Sequence, residues 1–192
     1  MSIISIRLTM IPAGWAQARP SFPDDQIGVY VFWAEAAGQQ VPLRVGQTTA
    51  SFQQRMYGST GHHQAFSASL KGDARYIASW PNYVSFFDQM SLLAADGALA
   101  NTTVSLLALS KGSLTTTVRQ AEKLACRYLV PVWEMKDEPG LNRPWKMSGR
   151  RWRALDPQPL LAEFVDRRVG INSLRRLDVG AVMRQVEKEL VI

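Results

Sequence analysis

The chain has 192 residues, of which 46% are hydrophobic and 20% charged, and it carries a formal net charge of +6. This length is enough to bury a core in one domain, and no apolar run reaches membrane-spanning length, so the sequence excludes a disordered or membrane-spanning protein. Its single cysteine, Cys126, excludes an internal disulfide and is typical of the reducing cytoplasm, where we expect the protein.

Residues 1–27 form an N-terminal segment that precedes the first clear strand. This segment lacks a basic stretch at its start, and Arg7 and Pro12 interrupt its apolar residues. Both features are unlike a secretory signal peptide, so we expect no cleaved leader.

Two strands and a turn are predicted next, in the stretch GVYVFWAEAAGQQVPLRVGQ. Residues 28–34 and roughly 41–46 are rich in Val, Tyr, Phe and Trp, and Gly38 stands in the turn between them. The pattern is typical of a β-hairpin.

A short helix is predicted in SFQQRMY, residues 51–57. Ser51 is in position to cap its N-terminus, and Gly58 and Gly61 are in position to end it. Further along, TTVSLLALS predicts a third strand at residues 102–110, whereas the intervening stretch shows no clear pattern up to about residue 86.

An amphipathic helix is predicted over residues 114–129, before Pro131. At about 100° per residue, its polar face carries Arg119, Gln120, Lys123 and Arg127. Glu122 falls on the apolar face, between Val118 and Ala125. A carboxylate in that position is costly unless it is paired, hydrogen-bonded or bound to a metal ion, and the sequence leaves a structural ion pair and a functional role both open.

Positive charge is concentrated in the last part of the chain. Counted from the sequence, residues 143–192 carry 11 Lys/Arg and 6 Asp/Glu, a net charge of +5, and the densest stretch is RPWKMSGRRWR. Basic residues with interleaved tryptophans suit a polyanion, although a solvated basic surface explains the same pattern. The candidate nucleic-acid contacts are Lys146, Arg150, Arg151 and Arg153.

Residues 136–192 are expected to form a helical C-terminal extension. Asp156 is a candidate N-cap for one helix. Asn172 or Ser173 is a candidate N-cap for another, which would run to the end of the chain with apolar residues at positions 179, 182, 183, 186 and 190.

Taken in order, four of these motifs resemble the GIY-YIG nuclease family. They are GVY in the first strand, RVG in the second, F-x-x-R in SFQQR, and the inward glutamate of AEKLACRYLVPVW. The resemblance covers about residues 28–134. It implies an α/β (α+β) core over residues 28–135, in which helices flank a small antiparallel three-stranded sheet.

The resemblance also implies an activity, the hydrolysis of phosphodiester bonds by an endonuclease. Tyr30 would activate or orient the attacking water, Arg55 would grip the scissile phosphate, and Glu122 would hold one divalent cation, Mg²⁺ or Mn²⁺. PVWE followed by GRRWRALDP is similar to the tail of restriction endonucleases of this family. The expected partner is therefore double-stranded DNA, and a homodimer would cut both strands of a palindrome.

The chain departs from the family pattern at the second tyrosine and at the histidine. Arg44 replaces the tyrosine of YIG, where its charge would favour the phenolate form of Tyr30 or, alternatively, contact DNA. Ser59 stands one helical turn after Arg55, where the family often has a histidine. His62 and His63 are both candidates for that role.

The family's asparagine is also unmatched, because Glu134 follows PVW. These departures support an alternative function, a non-catalytic nucleic-acid-binding module that retains a nuclease fold. The retention of Tyr30, Arg55 and an inward Glu122 favours the enzymatic function.

Overall fold

The computed structural model of the protein describes residues 1–36, 39–73, 101–129, 131 and 177–190. Its strands are β1 (Ser2–Thr9), β2 (Gln26–Ala36), β3 (Gln39–Thr48) and β4 (Asn101–Ser110). Its helices are α1 (Pro12–Ala18), α2 (Phe52–Tyr57), α3 (His62–Lys71), α4 (Thr115–Leu129) and α5 (Val179–Leu190), and a short 3₁₀ turn follows α1. The mixed helices and antiparallel strands confirm the predicted α+β class.

The described strands form one antiparallel sheet in the order β1-β4-β2-β3. The three predicted strands all form and lie side by side, but the prediction of a three-stranded sheet is wrong. β1 pairs with β4 along its whole length, from Ser2 opposite Ala108 to Thr9 opposite Asn101. Its side chains alternate, with Ile6 and Leu8 buried and Arg7 exposed between them, which is the pattern of a half-buried strand.

The sheet separates two hydrophobic cores, because successive side chains of a strand point to opposite faces. Tyr30 and Phe32 of β2 face the first core, to which α1, α2 and α3 contribute Trp15, Phe52, Met56, Ala65 and Phe66. Val29 and Val31 face the second core, to which α4 and α5 contribute Ala121, Ala125, Leu129, Val179, Met183 and Val186. β1 and α5 therefore pack with the predicted core, and the division of the chain at residues 27 and 135 stays a prediction.

α2 begins and ends as the sequence predicts. The hydroxyl of Ser51 accepts a hydrogen bond from the backbone N–H of Gln54 at 3.0 Å, which confirms the N-cap. Gly58 follows the last helical residue, and its N–H donates to the carbonyl of Gln54. α3 follows at once, in a stretch where the sequence showed no clear pattern.

α4 confirms the predicted amphipathic helix and begins one residue later than expected, at Thr115. The side chains predicted to be polar are all exposed, namely those of Arg119, Gln120, Lys123 and Arg127. Glu122 is only 8% exposed, so the prediction of an inward carboxylate is confirmed.

α5 begins at Val179, and the prediction of a helix starting from Asn172 or Ser173 is wrong because residues 177–178 are not helical. Asp178 caps it instead, since its carboxylate accepts a hydrogen bond from the N–H of Ala181 at 3.0 Å. Within the described ranges, none of the helices has both the length and the apolar character needed to cross a membrane. The predicted cap at Asp156 lies outside the described residues.

A test of the packing between β2 and β3 uses Gly46, which pairs with Tyr30. A Cβ atom at Gly46 would overlap with the Cζ and Oη atoms of Tyr30. We expect Gly46→Ala to lower the free energy of unfolding by about 1–3 kcal/mol, the usual cost of overpacking, as measured by urea denaturation. Gly112→Ala is the control, because a Cβ there meets no atom within 4 Å. Equal stability of the two variants would contradict the packing.

Candidate active site

The hydroxyl group of Tyr30 is the centre of a polar cluster in the first core. The Nε–H of Arg55 donates a hydrogen bond to it at 3.2 Å, and Nε2 of His62 lies 2.8 Å from the same oxygen. Tyr30 is 0% and His62 is 1% exposed, whereas Arg55 is half-buried. The structure thus brings three of the predicted site residues together from β2, α2 and α3.

Local structure explains how these side chains meet. The ring of Tyr30 lies against the backbone of Gly46 on the neighbouring strand, which fixes the direction of its hydroxyl. A tight turn from Gly58 to Gly61 joins α2 to α3, with the N–H of Gly61 donating to the carbonyl of Gly58 at 2.8 Å. Because α3 starts directly after this turn, His62 sits in its first turn and faces the same oxygen as Arg55.

Arg44 lies on the same face of the sheet as Tyr30. It pairs with Phe32, two pairs further along β2 than the pair of Tyr30 with Gly46, and it is 2% exposed. The predicted proximity of Arg44 to Tyr30 is therefore a diagonal one across the hairpin.

The electrostatic environment keeps His62 neutral. Burial and then the positive charges of Arg44 and Arg55 lower the pKa of His62 well below its ordinary value near 6.5. In the Nδ1–H tautomer, Nε2 accepts the hydroxyl proton of Tyr30, and in the Nε2–H tautomer the ring donates to that oxygen. In either form Arg55 donates to the oxygen, so negative charge developing there is stabilised.

His63 lies apart from this cluster. Its ring packs against Trp15 at a centroid distance of 5.7 Å and against Tyr57 at 5.5 Å. Burial, followed by the charges of Arg19 and Lys71, lowers its pKa. Of the two histidines proposed from the sequence, the one that contacts Tyr30 is His62.

A polar pocket of about 360 Å³ opens beside Arg55, at the end of β3. Hydroxyl and amide side chains line it, namely those of Gln47, Thr48, Thr49, Gln54 and Thr60. Sequence analysis did not identify these residues. Their signal was the run QTT directly after the second strand, a set of short polar side chains that can hydrogen-bond phosphate oxygens.

Glu122 lies on the other side of the sheet from Tyr30. Its neighbours Ala121 and Ala125 on α4 pack with Val31 and Val45 in the second core. Within the described residues, no group of three or more His, Cys, Asp or Glu side chains is placed to hold a metal ion. A divalent cation on Glu122 stays a prediction.

The two faces of the sheet meet at the outer edge of β3, the last strand in the described order. Gln47 pairs with Val29 and so points to the α4 side, yet it lines the same pocket as Arg55. Val118, near the start of α4, packs with Ile27 at the start of β2, where β3 ends. The start of α4, with Val118, and the pocket therefore lie at the same end of the sheet, and Glu122 follows one helical turn later, at the middle of α4.

The predicted nucleic-acid contacts Lys146, Arg150, Arg151 and Arg153 lie outside the described residues, as does Glu134. No protein-family model, curated protein or solved structure matches this chain. The resemblance to GIY-YIG nucleases therefore rests on the sequence motifs alone and stays a prediction.

The neutral state of His62 predicts acid destabilisation. Below its ordinary pKa the unfolded chain binds a proton that folded His62 excludes, so the free energy of unfolding falls as the pH falls. For one such histidine the loss is about 1.4 kcal/mol between about pH 7.5 and 5.5. Urea denaturation at several pH values measures it.

We expect His62→Gln to remove most of this pH dependence, whatever it does to stability at neutral pH. His63→Gln is the matched control and should remove less, because His63 is only half-buried. If His62→Gln left the pH dependence of the wild type unchanged, the neutral buried state of His62 would be wrong.

Proposed function

We propose that the protein is a divalent-metal-dependent DNA endonuclease of the GIY-YIG type, with the Tyr30 cluster as its hydrolytic centre. The observation that carries this proposal is the contact of one tyrosine hydroxyl with both Arg55 and His62. These residues come from three separate elements, and each is of a type that can serve in phosphodiester hydrolysis as a proton acceptor or as a group that stabilises negative charge. A restriction-type enzyme acting on double-stranded DNA is the specific form that the sequence motifs favour.

Each side chain has a role that follows from its chemistry. The Tyr30 hydroxyl group orients the attacking water or, in its phenolate form, takes a proton from it, while the donated hydrogen bond from Arg55 stabilises charge on that oxygen. His62 is neutral and lies next to the same oxygen, where its Nε2 can accept a hydrogen bond from the hydroxyl group. Arg55 also lines the pocket, so a phosphate bound there meets a guanidinium group.

Glu122 would hold the cation, Mg²⁺ or Mn²⁺. Such an ion, when bound, supplies positive charge to the phosphoryl oxygens and to the leaving group. A nucleic acid lying across the outer edge of β3 would reach Arg55 from one face of the sheet and Glu122 from the other. Glu122 would then act on the bound nucleic acid although α4 packs against the second core.

A second candidate function is a non-catalytic nucleic-acid-binding module. The specific observation in its favour is the complete burial of the Tyr30 side chain and the near-complete burial of His62. In that case Arg55 and the polar pocket would bind phosphate without cleavage. The DNA-cleavage assay described next separates the two functions.

The test is the cleavage of plasmid and single-stranded DNA, with Mg²⁺ and with excess chelator. We expect the wild type to cut only with the metal, and we expect Glu122→Gln or Tyr30→Phe to lower the rate by about 100-fold or more, as for other transition-state groups. DNA binding by both variants should persist.

Two substitutions serve as matched controls. Glu35→Gln changes an exposed carboxylate of β2, and Tyr128→Phe removes a hydroxyl that bonds to Glu189 instead of to Arg55. Both should cut like the wild type. Cleavage in chelator, or rapid cleavage by Glu122→Gln, would contradict the proposed metal-dependent mechanism. Metal-independent binding without any cleavage would establish the second candidate function.

A further inference from the structure

The outward side of α4 carries a row of positive charge that the proposed active site does not use. Arg119, Lys123 and Arg127 are spaced four residues apart, so they lie along one side of the helix. All three are exposed, and the row is about 12 Å long at the rise of an α-helix. Thr116 and Gln120 are exposed beside it.

Little negative charge offsets this row. Within the described parts of the chain, neither Arg119 nor Lys123 forms an ion pair. The carboxylate of α4 itself, Glu122, flanks the row about 100° around the helix from Lys123, but it is buried, and within the described residues it forms no ion pair with Arg119 or Lys123. On α5, by contrast, Arg184 lies 3.9 Å from Asp178, so its charge already has a partner.

Arg127, at the end of the row, is partly compensated. Hydrogen bonds from Tyr128 and Gln185, and then the charge of Arg127, lower the pKa of Glu189 on α5. The strongest uncompensated charge therefore lies at Arg119, in the first half of α4, and at Lys123, near its middle.

That half of the helix is at the pocket end of the sheet. Val118, next to Arg119, packs with Ile27 and Leu109, and the following residue of β2, Gly28, pairs with Thr48. Thr48 lines the pocket beside Arg55. A duplex that extends from the pocket around this end of the sheet would meet the cations of α4.

We propose that the outer side of α4, centred on Arg119 and Lys123, is a second nucleic-acid contact surface that binds the sugar–phosphate backbone of a duplex flanking the pocket. Cations spaced along a helix neutralise phosphates without reading bases, so this surface adds affinity and register but no sequence preference. The choice of DNA as the polyanion rests on the proposed function. Apart from Leu114, which precedes the helix, the surface offers no large exposed apolar side chain within the described residues, which disfavours a lipid surface.

The experiment compares two double variants of the full-length chain. Arg119→Gln/Lys123→Gln removes an arginine and a lysine four residues apart on α4, and Arg184→Gln/Lys188→Gln removes the same pair of residue types at the same spacing on α5. All four positions are exposed and helical, and glutamine has a helix propensity close to that of arginine and lysine. The net charge of the two variants is equal.

Binding to a short duplex is measured in chelator at several salt concentrations. We expect the α4 variant to bind about tenfold or more weakly at low salt, and the slope of log K against log salt to fall by about 1.8, which is about 0.9 for each lost phosphate contact. The α5 variant should keep the wild-type slope. Circular dichroism of both variants checks that α4 and α5 remain folded.

Equal salt slopes for the α4 variant and the wild type would contradict the proposed contact surface. An equal loss of duplex affinity in both variants would also contradict it, because the loss would then depend on net charge alone. Binding to vesicles of phosphatidylserine is a separate arm. A loss of vesicle binding with unchanged duplex binding would overturn the proposal and assign the surface to a membrane. Because binding is measured without metal, a wild type that never cleaves DNA would contradict the proposed function and leave this surface standing.

Discussion

The packing of the Tyr30 side chain on Gly46 is the constraint on which the rest of the site depends. Glycine lets the aromatic ring lie against the backbone of β3, and this contact directs the hydroxyl toward α2 and α3. The ends of both helices are then fixed by side chains that meet at that oxygen, Arg55 from α2 and His62 from α3. Tyr30 thus helps to position α2 and α3, and with them the polar pocket beside β3.

This arrangement has an electrostatic cost that a purely structural core would avoid. Arg44 and His62 are almost completely buried, and two guanidinium groups act on one imidazole, which disfavours its protonation. Buried groups with strongly shifted pKa values concentrate at functional sites, because catalysis requires groups in defined protonation states. The cluster is the kind of arrangement expected of a centre that must stabilise negative charge on one oxygen.

The sequence predicts the hairpin, α2 and α4 well, because each has a strong local signal. Ser51 caps α2 through its own side chain, and the 3.6-residue period of α4 is enough to place Glu122 inward. β1 was not predicted, because its short alternating pattern becomes a strand only through pairing with β4, about 100 residues later. Such a distant partner has no local signature.

Two further features could not be predicted from the sequence. A bulge in β3 shifts the register between Phe32 and Trp33, so that Val41 and Arg44 face the same side although they are three residues apart. Simple alternation would have placed them on opposite faces. His62 and His63 are neighbours in the chain, but the rotation of about 100° per residue in α3 directs one to Tyr30 and the other to Trp15.

We propose above that Arg55 and Glu122, which lie on opposite faces of the sheet, both act on one DNA molecule bound across the outer edge of β3. The most direct measurement is a crystal structure of the wild-type protein with a DNA duplex and Ca²⁺, a hard cation that carboxylate oxygens bind. We expect a phosphate of the duplex in the pocket on the guanidinium group of Arg55, close to the Tyr30 hydroxyl, with the cation on Glu122. A duplex bound elsewhere, with Glu122 remote from both the cation and the phosphate, would contradict it.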